Sequence, residues 1–591
     1  MPIGISEEHE ALRQTARRWL ESRCPPSVPR ALLDAEEEGL PPFWAELAEQ
    51  GWLGLHLPEE AGGQGYGLAE LAVVAEELGR AVAPGPFLPT VAAGALLAEA
   101  APAEGRSELL ASLASGEAPA AVAWLAGALR AERSGEDLVL SGVLRPVLGG
   151  SLARLLVVPA RLEGQEGATW CVVEAEACRV RALPSLDPTR RPAEVALEQV
   201  RVGPERVLVG LDSSRVGDLV AVLAAAEAAG GHAWCLDTAS SYAKVREQFG
   251  RPIGQFQAVK HKLANMLVAL EQSTAATWDA AQVASRGGAQ ASLAAAVAAG
   301  LALSGFAEAA KDCIQVLGGI GFTWEHDAHL YLKRAAALRQ LLGGAPAWYR
   351  RAGELARSGT RRSLSEELMA GLPAEETERV RAEVAPELAE IAALAPERRR
   401  AAMAERGYIA PHWPRPWGRG AGPIEQLVID GEMERAGLRR PNLGIGAWAL
   451  PTIIAAGTER QQQRWVGPTL RGELSWCQLF SEPGAGSDLA SLTTKASKVE
   501  GGWRISGQKV WTSLARQADL AICLARTNPA APKHEGITYF IVDMKADGIE
   551  IRPLRELTGA AMFNEVFLSD VFVPDDWVIG EVDDGWRLAR T

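Results

Sequence analysis

Cysteine is scarce in this 591-residue chain. The seven present (Cys24, Cys171, Cys178, Cys235, Cys313, Cys477 and Cys523) are scattered, with no spacing that would hold a metal. That argues against a thiolate metal centre and for reduced thiols in a cytoplasmic protein. Positive charge is in deficit. Lys plus Arg number 60 against 74 Asp plus Glu, a net charge of −14, which disfavours nucleic acid or an anionic membrane as partner. The first ten residues hold no basic region followed by an apolar one, so no signal peptide is expected. Long apolar runs are missing too. The stretch from Ala291 to Phe306 is rich in Ala and Gly but falls short of the ~20 residues of a membrane span. It reads as a buried bundle helix, and no membrane insertion is expected.

What is present is ample core material: 48% hydrophobic against 23% charged residues. A chain this long divides into several domains, because single cores stop growing at about 250–300 residues. Residues 1–117 have a helical pattern. Ser6 precedes a run of acids, as at a helix start, and Leu12, Ala16 and Leu20 recur at helical spacing. Residues 51–63 form a loop leading into a helix over 68–83. This segment repeats: residues 407–418 lie over it without a gap, with identical pairs Gly51/Gly407, His56/His412, Pro58/Pro414, Gly62/Gly418, Leu71/Leu427 and Glu76/Glu432. So wide a spacing means tandem domains. His56 and His412, inside Gly/Pro loops, read as structural hydrogen-bonders.

Residues 118–210 change to short β-branched runs separated by turns, a small barrel or sandwich. Residues 211–356 return to Ala/Leu-rich helix suited to a bundle. Residues 357–370 are a polar linker. Residues 371–475 repeat the helical domain and 476–580 the β domain, and 581–591 open a further helical segment.

Two stretches carry candidate chemistry in the bundle. From Tyr242 to Gln257 the chain reads Tyr-Ala-Lys-Val-Arg-Glu-Gln-Phe-Gly-Arg-Pro-Ile-Gly-Gln-Phe-Gln. A helix is expected to end at Phe249-Gly250, turn through Pro252, and give way to a new helix near Phe256. Arg246 presents a planar donor fork that suits a pyrophosphate; its plainer reading is a solvated helix arginine. From Gln315 to Glu325 the chain reads Gln-Val-Leu-Gly-Gly-Ile-Gly-Phe-Thr-Trp-Glu. There Gly318 and Gly319 permit close backbone approach, or simply cap a helix.

The most informative stretch runs from Trp476 to Asp488: Trp-Cys-Gln-Leu-Phe-Ser-Glu-Pro-Gly-Ala-Gly-Ser-Asp. An apolar strand breaks into a turn whose Gly484 and Gly486 expose backbone N–H groups to anionic or polar cofactor atoms. A second strand pair follows, Trp503 to Ser506 and then Gly507-Gln-Lys-Val-Trp-Thr-Ser513. Read without further context, these form an ordinary hairpin with a glycine turn.

Together the motifs resemble the acyl-CoA dehydrogenase family, over nearly the whole chain. The resemblance implies a multidomain α+β fold: a helical N-domain, a β-barrel middle domain and a four-helix-bundle C-domain. This set is duplicated, the second copy lacking its C-terminal bundle. It also implies FAD as cofactor. Gln478, Phe480, Ser481, Trp511, Thr512 and Ser513 would line the flavin, with Ser487 at the boundary of flavin and acyl-CoA. Arg246, Gln248, Phe249, Gln257, Gln315, Gly318 and Gly319 would reach the nucleotide part across a subunit interface.

Departures from the family pattern matter as much. In the first copy the Glu-Pro-Gly-Ala-Gly-Ser turn is absent, and Gly142-Val-Leu-Arg-Pro-Val-Leu148 stands where the second copy has Gly507 to Ser513. The family's catalytic glutamate falls at Leu342, and its alternative acidic position at Val220. Asp218 and Glu227 are near but out of register. The sequence is expected to be truncated after Thr591, with the catalytic base just beyond. The likeness is strongest to fused two-unit members from actinobacteria that act on steroid side-chain CoA thioesters. By resemblance, a carboxylate removes the α-proton of an acyl-CoA while the β-hydride passes to the flavin. Electrons would then go to an electron-transfer flavoprotein, and the fused chain would form a homodimer. An acyl-CoA oxidase and a non-catalytic acyl-CoA-binding or assembly protein remain open alternatives.

Overall fold

The computed structural model describes residues 6–125, 127–363 and 372–590. The chain falls into two compact units, 1–363 and 364–591. Residues 364–370 of the expected linker, and residue 371 after it, lie outside the described residues.

Unit 1 begins with helices. The first, Glu7–Arg23, is capped by Ser6, whose hydroxyl accepts from the His9 N–H, with Glu7, Glu8 and Glu10 in its first turn. Such a start satisfies an orphan donor and suits the helix dipole. Three long helices, Ser213–Val245, Gln257–Val283 and Gly288–Leu317, and two shorter ones, Ala328–Leu341 and Ala345–Arg357, make the bundle. Ser213–Val245 and Gly288–Leu317 are long and apolar enough to cross a membrane, yet most of their apolar windows are buried inside the fold. Small residues let these helices approach closely. A Cβ on Gly230 would lie 1.7 Å from the Glu76 carbonyl oxygen of the Leu68–Arg80 helix. Glycine is therefore required there.

The helix expected to run to Phe249-Gly250 ends instead at Val245. A two-residue hairpin follows, Glu247–Gln248 against Arg251–Pro252. Its turn residues, Phe249 and Gly250, both have positive φ (54° and 75°), as this tight turn demands. The Ile253 N–H then donates to the Arg246 carbonyl at 2.7 Å. Pro252 closes the hairpin from a position that needs no N–H donor.

The sheet of unit 1 has seven strands in the order Arg179–Ala182, Pro192–Val202, Asp137–Leu148, Leu129–Ser134, Leu155–Leu162 and Ala120–Val122, with Thr169–Glu174 also on Leu155–Leu162. Unit 2 starts with helices Ala374–Ala393, Pro396–Glu405, Pro423–Arg435, Gly446–Ala456 and Glu459–Arg471. Its eight-stranded sheet repeats the same plan. The order is Ile549–Leu554, Phe563–Pro574, Gly502–Ser513, Lys495–Val499, Leu520–Arg526, Ile537–Asp543 and Val578–Ile579, with Trp476–Leu479 parallel to Leu520–Arg526. Leu520–Arg526 is packed on both faces, Ile522 and Leu524 in one apolar cluster and Ala521 and Cys523 in another, which accounts for its unbroken apolar sequence.

Trp503–Ser506 and Gly507–Ser513 are not the strand pair expected from the sequence. They form one strand, Gly502–Ser513, interrupted by register shifts between Ile505 and Gly507 and between Lys509 and Thr512. A bulge lets the strand bend without ending.

Candidate functional site

In unit 2 the candidate ligand face is assembled from two segments. Strand Trp476–Leu479 aligns Gln478 with Ile522 and Leu479 with Cys523. It runs on to a tight turn in which Glu482 and Ala485 exchange two backbone hydrogen bonds of 3.0 Å. Among the described residues, nothing lies within 4 Å of a Cβ built on Gly484 or Gly486. Neither has a positive φ. The chain's own packing thus does not require glycine at either place, and the bare backbone faces open space.

The Gly502–Ser513 strand lies alongside. The Val510 N–H donates to the Ser481 carbonyl at 2.8 Å. At the second register shift Trp511 has a φ of +60°, unusual for a bulky residue. The bulge turns its indole outward, 61% exposed, with its edge towards Phe563 at 6.0 Å between ring centres. Thr512 is buried beside it, and the Asn564 amide donates to the Thr512 carbonyl at 3.0 Å. Thr512 Oγ1 and Asn564 Oδ1 have no hydrogen-bond partner among the described residues. Phe480 stands edge-on to Tyr539 at 6.1 Å. Gln478, Phe480, Ser481 and Ser513 are half-buried, and Ser487 lies exposed past the turn.

Two residues to which the sequence reading gave no role hold these segments together. Lys509 is fully buried, and its ammonium donates to the Phe480 carbonyl at 3.0 Å, to Glu482 at 2.8 Å and to the Leu524 carbonyl at 2.9 Å. Glu482 also accepts from the Thr493 N–H at 2.7 Å, the Thr493 hydroxyl at 2.8 Å and the Thr494 N–H at 2.9 Å. Burial alone would raise its pKa, but the Lys509 charge and these hydrogen bonds outweigh it and hold Glu482 down at about 2. The available signal was a lysine in a strand otherwise facing a core.

In unit 1 the second candidate group sits at one end of the bundle. Gln257 starts one helix and Gln315 lies in the last turn of its neighbour, Gly288–Leu317, the two pinned by a Lys262–Asp312 ion pair. Arg246 is exposed, with no side-chain partner among the described residues. The Gln248 side-chain amide donates to the Glu247 carbonyl at 2.7 Å, and Phe249 is 93% exposed. Gly318 caps its helix with a φ of +64°, and Gly319 is exposed beside it. The capping reading of Gly318 therefore holds whatever else it does.

The two loop histidines differ. His412 is exposed and stands edge-on to Trp413. Both ring nitrogens of His56 are sealed from water without a partner of hydrogen-bonding geometry among the described residues. Burial holds its imidazole neutral, down to about 4, with the Val91 backbone only partly offsetting. His412 faces solvent and makes no side-chain hydrogen bond among the described residues, so it is not the structural hydrogen-bonder that the sequence suggested, while His56 keeps a neutral imidazole whose contact of that kind, with the Val91 backbone, is loose.

Comparison with known proteins fixes the family. The description "Acyl-CoA dehydrogenase, N-terminal domain" matches residues 6–117 and again 374–473, the middle domain matches 477–571, and the C-terminal domain matches 218–348. Acyl-CoA dehydrogenase FadE34 of Mycobacterium tuberculosis is 47% identical over the whole of this chain and 81% of its own length. The chain belongs to the acyl-CoA dehydrogenase family. Among solved structures, the Tcur3481-Tcur3483 steroid ACAD variant aligns with a TM-score of 0.55 at 31% identity, covering 60% of this chain and 98% of that one. The ChsE4-ChsE5 complex from Mycobacterium tuberculosis aligns at 0.56 and 28%, covering 63% and 100%.

Within this acyl-CoA dehydrogenase chain, Leu342 and Val220, where the sequence reading expected the family's base, are apolar, and the carboxylates near Val220 are engaged in ion pairs. Leu342 is buried, and its carbonyl accepts from the Trp348 indole at 2.9 Å. Val220 is buried in its helix. Glu227 is locked between Arg190 (2.5 and 2.9 Å) and Arg334 (2.8 Å). Arg334 also holds Asp187 and the Thr189 hydroxyl. Asp218 is paired with Arg351 at 2.8 Å and accepts from Ser292. Burial raises its pKa, only partly offset by the Ser292 hydroxyl and Arg351.

Proposed function

We propose that this chain catalyses FAD-dependent α,β-dehydrogenation of an acyl-CoA thioester, with a steroid side-chain CoA ester as substrate class. One observation carries the reading: the Val510–Ser481 hydrogen bond and the Lys509 ammonium tie the Glu482–Ala485 turn, with its bare glycine backbone, to the Trp511 bulge, where two polar atoms have no partner among the described residues. Thr512 Oγ1 and Asn564 Oδ1 are buried polar atoms of the kind a bound ring with donor groups would satisfy, so the residues present fit the flavin.

Phe480, Ser481, Trp511, Thr512 and Ser513, with Gln478, would hold the ring, and Ser487 would lie towards the acyl-CoA. In unit 1 the free guanidinium of Arg246 suits a pyrophosphate. Gln248, Phe249, Gln257, Gln315, Gly318 and Gly319 offer amides and open backbone to the nucleotide. When bound, FAD supplies the two-electron acceptor for the β-hydride. The protein's share is orientation, exclusion of water and hydrogen bonds that polarise the thioester carbonyl. Unit 1 acts as the non-catalytic half, since neither Leu342 nor Val220 can take a proton. The likeness to a steroid ACAD at 31% identity supports the substrate class. An electron-transfer flavoprotein as acceptor, and a homodimer, complete the proposal.

The test is anaerobic. The full-length protein, loaded with FAD, is mixed with a steroid side-chain CoA ester and with a fatty acyl-CoA. Bleaching of the flavin by the steroid ester is expected; bleaching by neither overturns the reading. Peroxide on readmission of air would favour an oxidase.

A further inference from the structure

A buried ion pair of this kind is an odd possession for a β domain. Lys509 has no exposed surface and Glu482 only 5%. Removing two charges from water is costly, and well-packed apolar residues are often as stable in their place. The chain itself shows that the sheet does not need the pair. In unit 1 the Asp137–Leu148 strand pairs with Pro192–Val202 through the same two register shifts, between Leu140 and Gly142 and between Leu144 and Val147. In unit 2 they fall between Ile505 and Gly507 and between Lys509 and Thr512. Leu144 therefore stands where Lys509 stands, and it is just as fully buried. Pro146 stands where Trp511 stands.

What the pair does in unit 2 is local. The Lys509 ammonium gathers the Phe480 carbonyl and the Glu482 carboxylate from one segment while riding on the other, one residue before Val510 and two before the Trp511 bulge. The Glu482 carboxylate in turn fixes the backbone at Thr493 and Thr494, beyond the glycine turn. Both ends of that turn are thus tied to the strand carrying Trp511, Thr512 and Ser513.

We propose that Lys509 and Glu482 are positioning residues for the cofactor ring: a clamp that holds the glycine turn and the tryptophan bulge at a fixed separation, kept for the site and not for the sheet. This rests on the flavin reading above. The clamp touches no substrate atom. It acts through the backbone of Phe480, Ser481 and Val510.

The test uses the full chain and FAD. The double variant Lys509→Leu/Glu482→Gln copies the apolar side chain of unit 1 and keeps one acceptor oxygen for the Thr493 N–H and hydroxyl, so it is expected to fold. Apo-protein melting is expected to shift by only a few degrees, while the Kd for FAD rises at least tenfold and the bound flavin's visible spectrum changes shape. The single variant Glu482→Asp, keeping the charge on a shorter arm, is expected to fall between wild type and double variant in affinity. Unchanged FAD affinity and spectrum in a folded double variant overturn the clamp alone. Loss of melting stability in proportion to affinity makes the pair a sheet-stabilising element and also overturns it. Wild-type chain that takes up no FAD overturns both the clamp and the flavin reading.

Discussion

The two β domains of this chain share a strand order and even the positions of their bulges, yet they differ where a ligand would lie. In unit 2, residues 480–494 connect strand Trp476–Leu479 to Lys495–Val499 and carry the glycine turn. In unit 1 the corresponding connection, from Val122 to Leu129, is far shorter. The second bulge holds an outward Trp511 in one unit and Pro146 in the other. Beneath the bulge lies Lys509 with Glu482 in one, Leu144 in the other. The lesson is that the fold is set by the alternating apolar residues both domains retain, while the glycine loop, the tryptophan on the bulge and the buried charge of unit 2 are absent from unit 1 without loss of the sheet.

The largest effect should come from unbalancing the buried charges. Lys509→Met leaves the Glu482 carboxylate buried without its counter-ion and is expected to cost unit 2 about 3–5 kcal/mol, read by urea unfolding. Leu144→Lys in unit 1 introduces a lone buried ammonium and should cost about 3 kcal/mol or more. If Leu144→Lys is tolerated within about 1 kcal/mol, the two positions are not equivalent.

Next in size is the response to acid. Glu482 is held at about 2 against an ordinary 4.5. A depressed carboxylate adds stability that is complete above about pH 4.5 and is lost as the pH falls towards about 2. Unit 2 should therefore weaken over that window, and Glu482→Gln should flatten it. His56, lowered from 6.5 to about 4, takes stability from unit 1 in a higher window, as the pH falls from about 6.5 towards 4, opposed there by Glu38 and Glu76, which burial raises to about 7. His56→Leu should reduce that dependence and leave the share of buried His232, also lowered to about 4, whereas exposed His412→Leu should change stability by less than about 0.5 kcal/mol. Acid titrations of both variants, with a probe in each unit, separate the two windows.

The smallest change in stability belongs to Arg246→Ala. With no partner among the described residues, its loss should alter unfolding by less than about 0.5 kcal/mol. It should still weaken FAD binding about tenfold, consistent with one lost charge-assisted bond. Equal affinity in the variant would remove unit 1 from the cofactor site.

Much of this was legible in the sequence. The duplication, the alternation of helical and β domains, the loss of the glycine turn in the first copy and the alignment of Gly142 with Gly507 all appear in residue patterns. Three things were not. The hairpin at Phe249-Gly250 hides because Arg246 to Phe256 reads equally as a helix end with a proline turn; only φ at Phe249 decides it. The continuity of the Gly502–Ser513 strand is masked by Gly507, which reads as a turn but sits at a bulge. The clamp is long-range: Glu482 and Lys509 lie 27 residues apart, and nothing local in either segment names the other. His56 and His412 show the limit of the repeat, since identical residues in a repeated loop met different surroundings, one with its ring nitrogens sealed from water and one exposed.

The most direct test of the central claim, that the ring-facing site belongs to the second β domain, is FAD stoichiometry in the full chain, wild type against Gly484→Val/Gly486→Val. Both new side chains enter open space, so folding should be untouched while the approach of a ring is blocked. The account predicts one FAD per wild-type chain, none retained by the variant, and identical melting of the two apo-proteins. An unchanged FAD content in the folded variant would place the cofactor elsewhere and contradict it.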